Sequence, residues 1–276
     1  LWNTYAFFVL YANIDEFDAT KYTLEYDKLA VMDKWLLSKL NTLVQTVDNN
    51  LANYKIPETA RALQEFVDDM SNWYVRRSRE RFWAKGMEQD KINAYMTALV
   101  TVAKAAAPMI PFMTEDIYQN LVRSIDKTAP ESIHLCDFPA VNEAWIDKEL
   151  EENMEDLLEI VVMGRACRNT ANIKNRQPIG KMFVKASFTL SDFYTDIIKD
   201  ELNVKEMAFT DDVREFTSYS FKPQLRTVGP KYGKHLNAIK TALAELDGNK
   251  AMDELKATGE LKLDIAGEEI VLLESD

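Results

Sequence analysis

Cysteine and histidine are scarce in this sequence. The two cysteines, Cys136 and Cys167, cannot form a disulfide framework and suit a reducing compartment, so we expect a cytoplasmic protein. The two histidines, His134 and His235, are far apart, and four such residues scattered in this way fall short of zinc-ligand spacing. The sequence therefore predicts no metal site.

The sequence also lacks the patterns of several other functional classes. Its 8 glycines are isolated, and none stands in a GxGxxG or P-loop motif, which excludes the usual phosphate-binding loops. No Ser-His-Asp or Cys-His pairing is visible, so we expect no catalytic residue in this chain. No apolar run approaches the roughly 18 to 20 residues that cross a bilayer, and we expect no membrane partner.

The first residues lack the marks of a targeting segment. The apolar stretch Leu1 to Ala12 has no basic region before it and no small-residue cleavage site, so we do not expect a signal peptide. The chain has no initiator methionine and begins in the middle of a pattern. We interpret it as a fragment of a longer protein.

Charge is unevenly distributed along the chain, whose net charge is -12. The segments 160–191 and 216–244 contain basic residues and no acidic ones, whereas acidic residues concentrate between 143 and 159. Because salt screens charges over about 8 Å, a local basic surface can attract phosphates despite a negative total. Chance clustering on solvated surfaces stays open as the alternative.

The first part of the chain has the periodicity of long helices. Apolar residues recur every three or four positions over 36–51, which predicts an amphipathic helix. Pro57 predicts the first turn of a second helix that Gly86 closes, and a third is expected over 88–107. Long helices with short connections pack as an antiparallel bundle. We therefore predict a mainly α fold with a helical bundle over 1–145, its helical period resuming at 115–122 before a linker at 125–142.

The second part alternates between helices and strands. A helix is expected over 150–172, and two-residue periodicity predicts strands at 182–186, 216–221, 261–265 and 270–272. Further helices are expected between the strands, at 191–202, 230–246 and 250–257. The sequence thus predicts a small α+β C-terminal domain over 146–276.

The segment Ser71 to Trp83 carries four arginines and four aromatic residues. Guanidinium groups beside aromatic rings are typical of RNA-binding surfaces. At 100° per residue, Arg77 and Arg81 fall on the apolar face, and the remaining members of the cluster fall opposite: Arg76, Arg79 and Trp83. Stabilisation by the helix dipole and an ion pair between Arg76 and Glu80 are structural alternatives to RNA binding. For Arg77 and Arg81 a structural role is nearly as well supported, because their face is the buried one.

Several motifs resemble the anticodon-binding region of isoleucyl-tRNA synthetases, in the same order as in that family. They cover most of residues 1–180: Leu1 to Asn13, Asp33 to Leu40, Phe66 to Arg77, Arg79 to Trp83, Ala107 to Phe112, Glu115 to Tyr118, Ser132 to Asp137 and Asn172 to Pro178. The related valine and leucine enzymes usually have an acidic residue after the Trp-Tyr pair, where this chain has Val75-Arg76-Arg77.

The resemblance implies part of a class I aminoacyl-tRNA synthetase that attaches isoleucine to tRNA(Ile) using ATP. The signatures of the family's catalytic and editing domains are absent here, so ATP and Mg²⁺ would bind outside this chain. Without the cysteine-rich zinc module of the bacterial-type branch, the chain is similar to the eukaryote-like branch. We expect a monomer that works with the catalytic and editing domains of the same polypeptide.

The resemblance also implies where RNA binds. We expect Arg76, Arg77, Arg79 and Arg81 to contact anticodon-stem phosphates. A second group is expected to line the junction between bundle and α+β domain, where the anticodon loop would be held: Arg165, Arg168, Lys174 and Arg176. Trp83 and Gln177 are candidates for base contacts.

Two alternatives remain open at this point. The segment Asn172 to Pro178 is equally well interpreted as a turn that leads into a strand. The whole chain could instead be a helical scaffold for protein partners, with the acidic stretch Glu143 to Glu159 serving a basic partner.

Overall fold

Contacts within the chain divide it into two units, Leu1–Glu159 and Ile160–Asp276. The structure is a computed structural model and describes residues 1–83, 86, 89–211, 216, 219–265 and 267–276. The division falls inside a helix, whereas the sequence predicts a boundary between residues 145 and 146.

The first unit is built from helices, as the sequence predicts. The predicted helix over 36–51 is confirmed, and it begins five residues earlier, at Val31. The helix expected from residue 88 is described from Gln89 onward, because residue 88 lies outside the described residues. The helices are α1 (Trp2–Ile14), α2 (Val31–Ala52), α3 (Ile56–Asp69), α4 (Arg76–Trp83), α5 (Gln89–Ala106), α6 (Pro111–Tyr118) and the first half of α7 (Lys148–Thr170).

The core of this unit lies where α2 packs against α3 and α5. Large side chains from these helices are completely or almost completely buried, among them Trp35, Leu37 and Leu99. Burying one such side chain contributes about 1.5–3 kcal/mol relative to leaving it in water. The apolar stripe on each helix therefore determines which face turns inward.

The segment between α6 and α7 is irregular, as expected for 125–142. It is tied to α6 by side-chain hydrogen bonds, in which the Tyr118 hydroxyl donates to the Pro130 carbonyl at 2.9 Å. The Glu115 carboxylate accepts from the Ser132 hydroxyl and the Ile133 N–H at 2.8 and 2.9 Å. The connection is thus held in place by side-chain hydrogen bonds, and its described helical parts are short turns such as the 3-10 turn Ile133–Leu135.

The second unit contains two small sheets. Strands β1 (Ile179–Val184) and β2 (Val204–Phe209) pair in parallel, with α8 (Asp192–Leu202) as the crossover between them. Strands β3 (Glu260–Ile265) and β4 (Glu268–Leu273) form an antiparallel hairpin. Its buried residues share a core with the remaining helices, α9 (Leu225–Tyr232), α10 (Leu236–Glu245) and α11 (Gly248–Thr258).

One strand prediction for this unit was wrong, and one strand was missed. The expected strand 216–221 is not formed by its described members, and residues 217 and 218 lie outside the described residues. Strand β2 was not predicted, because Lys205 and Glu206 interrupt its apolar alternation. The strands expected at 182–186, 261–265 and 270–272 are present as β1, β3 and β4.

Candidate nucleic-acid interface

A six-residue π-turn, Met70–Val75, separates α3 from α4. A turn of this kind inserts one extra residue into a helix and changes which side chains of the following turns face inward. Both Tyr74 and Val75 are buried, and the buried positions of α4 are Ser78 and Phe82. The prediction that Arg77 and Arg81 lie on the buried face was therefore off by one residue, since it assumed an uninterrupted helix.

Arg81 nevertheless reaches a buried partner. Its guanidinium donates to both oxygens of the Asp33 carboxylate, at 3.0 and 2.8 Å, and Asp33 is completely buried in the first turn of α2. Asp33 also accepts from the Tyr74 hydroxyl at 2.7 Å and from the Ala30 N–H at 3.2 Å. Burial raises the pKa of the Tyr74 phenol well above its ordinary value, so the hydroxyl keeps its proton and donates it. The network fixes α4 against α2.

This network corrects one predicted RNA contact. A guanidinium group can bind a carboxylate or a phosphate with two parallel hydrogen bonds. In Arg81 this group already binds the Asp33 carboxylate. We therefore assign Arg81 to folding and leave it out of the interface. Asp33 itself was missed in the sequence, although an aspartate three residues inside a helix start is a signal for a capping role.

The outer face of α4 carries the cations and the ring that the sequence places there. Arg76, Arg79 and Trp83 are exposed, and 57% of the Trp83 surface is accessible to solvent. The Arg76 guanidinium lies 5.2 Å from the Trp73 ring centre, and that of Arg79 lies 5.8 Å from the Trp83 ring centre. Arg77 is half-buried beside them. Guanidinium groups held over aromatic rings form a surface on which phosphates and bases can bind.

In the second unit, Arg168 is a structural residue rather than a surface cation. It is 3% exposed, and its guanidinium donates to the carbonyls of Lys174, Gln177, Leu202 and Asn203. Each of these backbone acceptors would otherwise lose a hydrogen-bond partner in the interior. Because the Arg168 side chain is buried in this structure, we leave it out of the RNA interface in which the sequence places it.

The loop that Arg168 holds follows the end of α7. Asn172 ends that helix in the left-handed conformation, with φ 58°, and the Ile173 N–H donates to the Arg168 carbonyl at 2.9 Å. This is the geometry of a helix C-terminus in which asparagine replaces the more usual glycine. The loop then leads into β1, as the turn interpretation expects, and it leaves three predicted contact residues exposed on its surface: Lys174, Arg176 and Gln177.

Arg165 is engaged within the second unit as well. Its guanidinium lies 2.6 Å from a Glu201 carboxylate oxygen, and the Glu201 side chain is only 5% exposed. The Arg165 side chain remains 39% exposed, so it stays accessible beside the ion pair. Of the four basic residues predicted here, the structure thus exposes Lys174 and Arg176, pairs Arg165 and buries Arg168.

Part of the acidic stretch at 143–159 is used to pack the first unit. Glu151 is buried and accepts hydrogen bonds from Ser38, Thr42 and Lys148. Glu155 lies 3.4 Å from the Lys39 ammonium. Both carboxylates contact α2 from α7. Glu151 is buried and not available to a basic partner, whereas the Glu155 side chain remains 63% exposed. The scaffold alternative loses part of its support.

The side chains and helices of the described part of the chain bear on two further classes of site, metal centres and membrane spans. No three His, Cys, Asp or Glu side chains there come together in a way that could hold a metal ion. Among the described helices, none combines the length and apolar character that crossing a membrane requires.

A family model described as the anticodon-binding domain of tRNA ligase matches residues 33–186. Three similar relatives carry the name isoleucine–tRNA ligase. The protein of Clostridium tetani is 45% identical over 279 residues, covering 100% of this chain and 27% of the relative. The protein of Clostridium novyi is 49% identical, over 90% of this chain and 24% of the relative. The protein of Clostridium acetobutylicum is 47% identical, over 99% of this chain and 26% of the relative. The chain spans about a quarter of the length of these curated relatives.

Proposed function

Because the chain belongs to the family of anticodon-binding domains of tRNA ligases, we propose that it binds the anticodon stem and loop of tRNA(Ile). It does so as part of an isoleucine–tRNA ligase, whose ATP- and Mg²⁺-dependent attachment of isoleucine takes place in domains outside this chain. We place that enzyme in the cytoplasm, as a monomer. The similarity to isoleucine–tRNA ligases over 90–100% of the chain supports the choice of amino acid.

The observation that carries the proposal is the exposed face of α4. Arg76 and Arg79 project from it together with Trp83, and the Asp33–Arg81 pair anchors the helix from the opposite side. Arginines contact phosphates in bidentate fashion, and an exposed indole can stack on a base. A helix fixed before binding loses little conformational freedom when RNA arrives.

The second unit supplies a separate set of contacts. Lys174, Arg176 and Gln177 project from a loop whose backbone Arg168 holds in place. A glutamine amide can donate to and accept from a base edge, and the two cations can neutralise flanking phosphates. These residues lie within the acid-free segment 160–191, so no neighbour in sequence opposes an approaching phosphate.

The proposal is tested by RNA binding at several salt concentrations. The 276-residue chain is titrated with tRNA(Ile) and with the same tRNA carrying a replaced anticodon. Substituting Arg76→Ala together with Arg79→Ala should weaken binding and reduce the slope of log K against log salt by about two, one unit for each lost phosphate contact. Thermal stability should hardly change, since both side chains are exposed.

The matched control removes the same charge elsewhere in the first unit. Lys55 and Arg61 are also exposed, near the opposite end of the α3–α4 segment. Lys55→Ala with Arg61→Ala should leave the slope unchanged. An equal loss of affinity in both double variants would reduce the role of α4 to general charge. Absence of salt-dependent binding to either tRNA would overturn the proposed function.

A further inference from the structure

A cavity in the second unit lies beside the loop that Arg168 holds. It has a volume of about 420 Å³, which is within the roughly 300–1,000 Å³ of small-molecule sites. Its walls are apolar and buried, formed by Ile160 and residues from β1, α8 and β2 that include Val184, Leu202 and Val204. We call it the α7–β1 cavity. Met163, Cys167 and Ala171 are the exposed residues of α7 and its C-terminal turn that line it.

Among the residues that the structure describes, the charged ones that line this cavity are all basic: Arg168, Lys181 and Lys185. The Arg168 donors point at backbone carbonyls, so the two lysines determine the charge of the opening. The Lys181 side chain is 47% exposed. Its ammonium lies 3.8 Å from a Glu206 carboxylate oxygen, which is long for an ion pair. An exposed ion pair of this kind contributes little to stability, and the ammonium can still attract an anion.

The cavity lining also includes an aromatic ring, that of Phe183. The Phe183 and Phe216 rings stack at 4.5 Å between centres with 21° between planes, and both are substantially exposed. The Lys181 ammonium lies 5.2 Å from the Phe183 ring centre. A cation above an exposed stack of rings is an arrangement that single-stranded nucleic acids use for their phosphates and bases.

The backbone of β1 can supply polar groups to a ligand. Successive side chains of a strand point to opposite faces, yet the cavity is lined by five consecutive residues, Lys181 to Lys185, so it runs along an edge of β1. In the described part of the chain β1 pairs with a strand on one side only. Its other edge therefore presents N–H and C=O groups that can hydrogen-bond the edge of a flat heterocycle.

We propose that the α7–β1 cavity receives one unstacked base of the anticodon loop, with its flanking phosphates held by Lys181 and Lys185. The inference rests on the proposed function and deepens it, because it places base recognition in a unit distinct from the α4 face. A flat base fits apolar walls, and the lysines at the opening can bind the phosphates on either side of it. A neutral apolar ligand would not contact the charges of the two lysines, so a ligand with phosphates fits the lining better.

The test fills the cavity from its opening. Cys167→Phe places a ring at the exposed mouth, and Ala166→Phe adds the same ring at the preceding exposed position of α7, which does not line the cavity. Both variants are titrated with an anticodon stem–loop RNA that carries 2-aminopurine at one loop position at a time. Thermal unfolding of each variant verifies that it folds.

For the unsubstituted chain we expect the 2-aminopurine signal to change on binding at one loop position. Cys167→Phe should abolish that change and weaken binding about 5- to 140-fold, the range that corresponds to losing one stacked base. The salt slope should fall by at most about two, the share of the phosphates that flank this base, because the contacts of the α4 face remain. Ala166→Phe should behave like the unsubstituted chain.

The outcomes separate this inference from the proposed function. Salt-dependent RNA binding with no 2-aminopurine change at any loop position would overturn the inference and leave the proposed function intact. Equal affinities of Cys167→Phe and Ala166→Phe would do the same, since the cavity would then serve some other ligand. Absence of RNA binding by the unsubstituted chain would overturn both.

Discussion

The ion pair between Asp33 and Arg81 gives the most direct test of how this fold is held together. We consider Arg81→Met, which keeps an unbranched side chain of moderate length and removes the guanidinium. The substitution takes away two hydrogen bonds, at 3.0 and 2.8 Å, from a carboxylate that is completely buried. Among the described residues, Asp33 then retains the Tyr74 hydroxyl and the Ala30 N–H as donors.

The expected cost follows from burial. Removing one partner of a buried ion pair destabilises a protein by about 3–5 kcal/mol, because an uncompensated charge stays in the interior. The Arg81 side chain is 21% exposed and two donors remain on Asp33, so we expect a loss near the lower limit, about 3 kcal/mol. For a unit of this size each kcal/mol corresponds to about 2–4 °C, which predicts a Tm lower by about 6–12 °C.

Tryptophan fluorescence measures this loss in the first unit alone. All five tryptophans of the chain lie within Leu1–Glu159: Trp2, Trp35, Trp73, Trp83 and Trp145. Urea unfolding followed by this signal gives the free energy of unfolding without interference from the second unit. Arg79→Met is the matched control, since it removes an exposed guanidinium from the same helix and should cost no more than about 0.5 kcal/mol.

A double-mutant cycle refutes or supports the reasoning. If the cost of Arg81→Met comes from an unpaired carboxylate, adding Asp33→Asn should recover part of it, because the charge is then gone. Strictly additive losses in the double variant, or equal losses for Arg81→Met and Arg79→Met, would show that the ion pair does not stabilise α4 in the way the structure indicates.

The other predictions concern a carboxylate and a glycine. Burial raises the pKa of Glu151, but hydrogen bonds from Ser38, Lys148 and Thr42 outweigh it and hold the folded-state pKa below its ordinary 4.5. The stability that Glu151 contributes is therefore present above pH 4.5 and is lost as the pH falls through the folded pKa. Glu151→Gln should cost about 1.5–3 kcal/mol at neutral pH and reduce the acid-dependent loss, measured by urea unfolding across this range; an unchanged pH profile would contradict the assignment. At Gly248, an added Cβ would lie 1.7 Å from the Tyr219 carbonyl oxygen, so Gly248→Ala should destabilise the second unit by about 1–3 kcal/mol. Gly233→Ala, where an added Cβ meets nothing within 4 Å, should not, and hydrogen exchange in α11 would detect the difference.

Helices whose apolar stripe is long and regular could be predicted from the sequence, whereas the π-turn could not. The stripe of α2 runs without interruption through 22 residues, so its period alone identifies the helix and its buried face. Residues 70–75 continue a helical pattern, and nothing local marks the extra residue. The extra residue is accommodated because the side chains of both Tyr74 and Val75 are buried. Tyr74 also donates a hydrogen bond to Asp33, 41 positions earlier in the chain.

Strand β2 illustrates the same limit for the sheet. Its residues pair with β1 across a crossover that includes α8, in a register that sets Glu206 opposite Lys181. That cross-strand pairing of opposite charges favours a strand which its own alternation does not predict. A charged residue that interrupts the apolar pattern of β2 is thus explained by Lys181, which lies next to it only in the folded chain.

The arginines show why residue type predicts a binding region better than it predicts individual contacts. Arg81 and Arg168 were expected on the RNA, and both instead hold the segment that presents exposed cations: Arg81 fixes α4, and Arg168 fixes the loop after α7. Guanidinium suits either task, because a carboxylate, a phosphate and converging carbonyls are all acceptors for its planar donors. Ordering one long side chain or its segment on binding costs about 0.5–1.5 kcal/mol, so a buried arginine that fixes the segment beforehand strengthens RNA binding without touching RNA. Arg168→Met would on this argument weaken the contacts of Lys174 and Arg176 only through the loop that carries them.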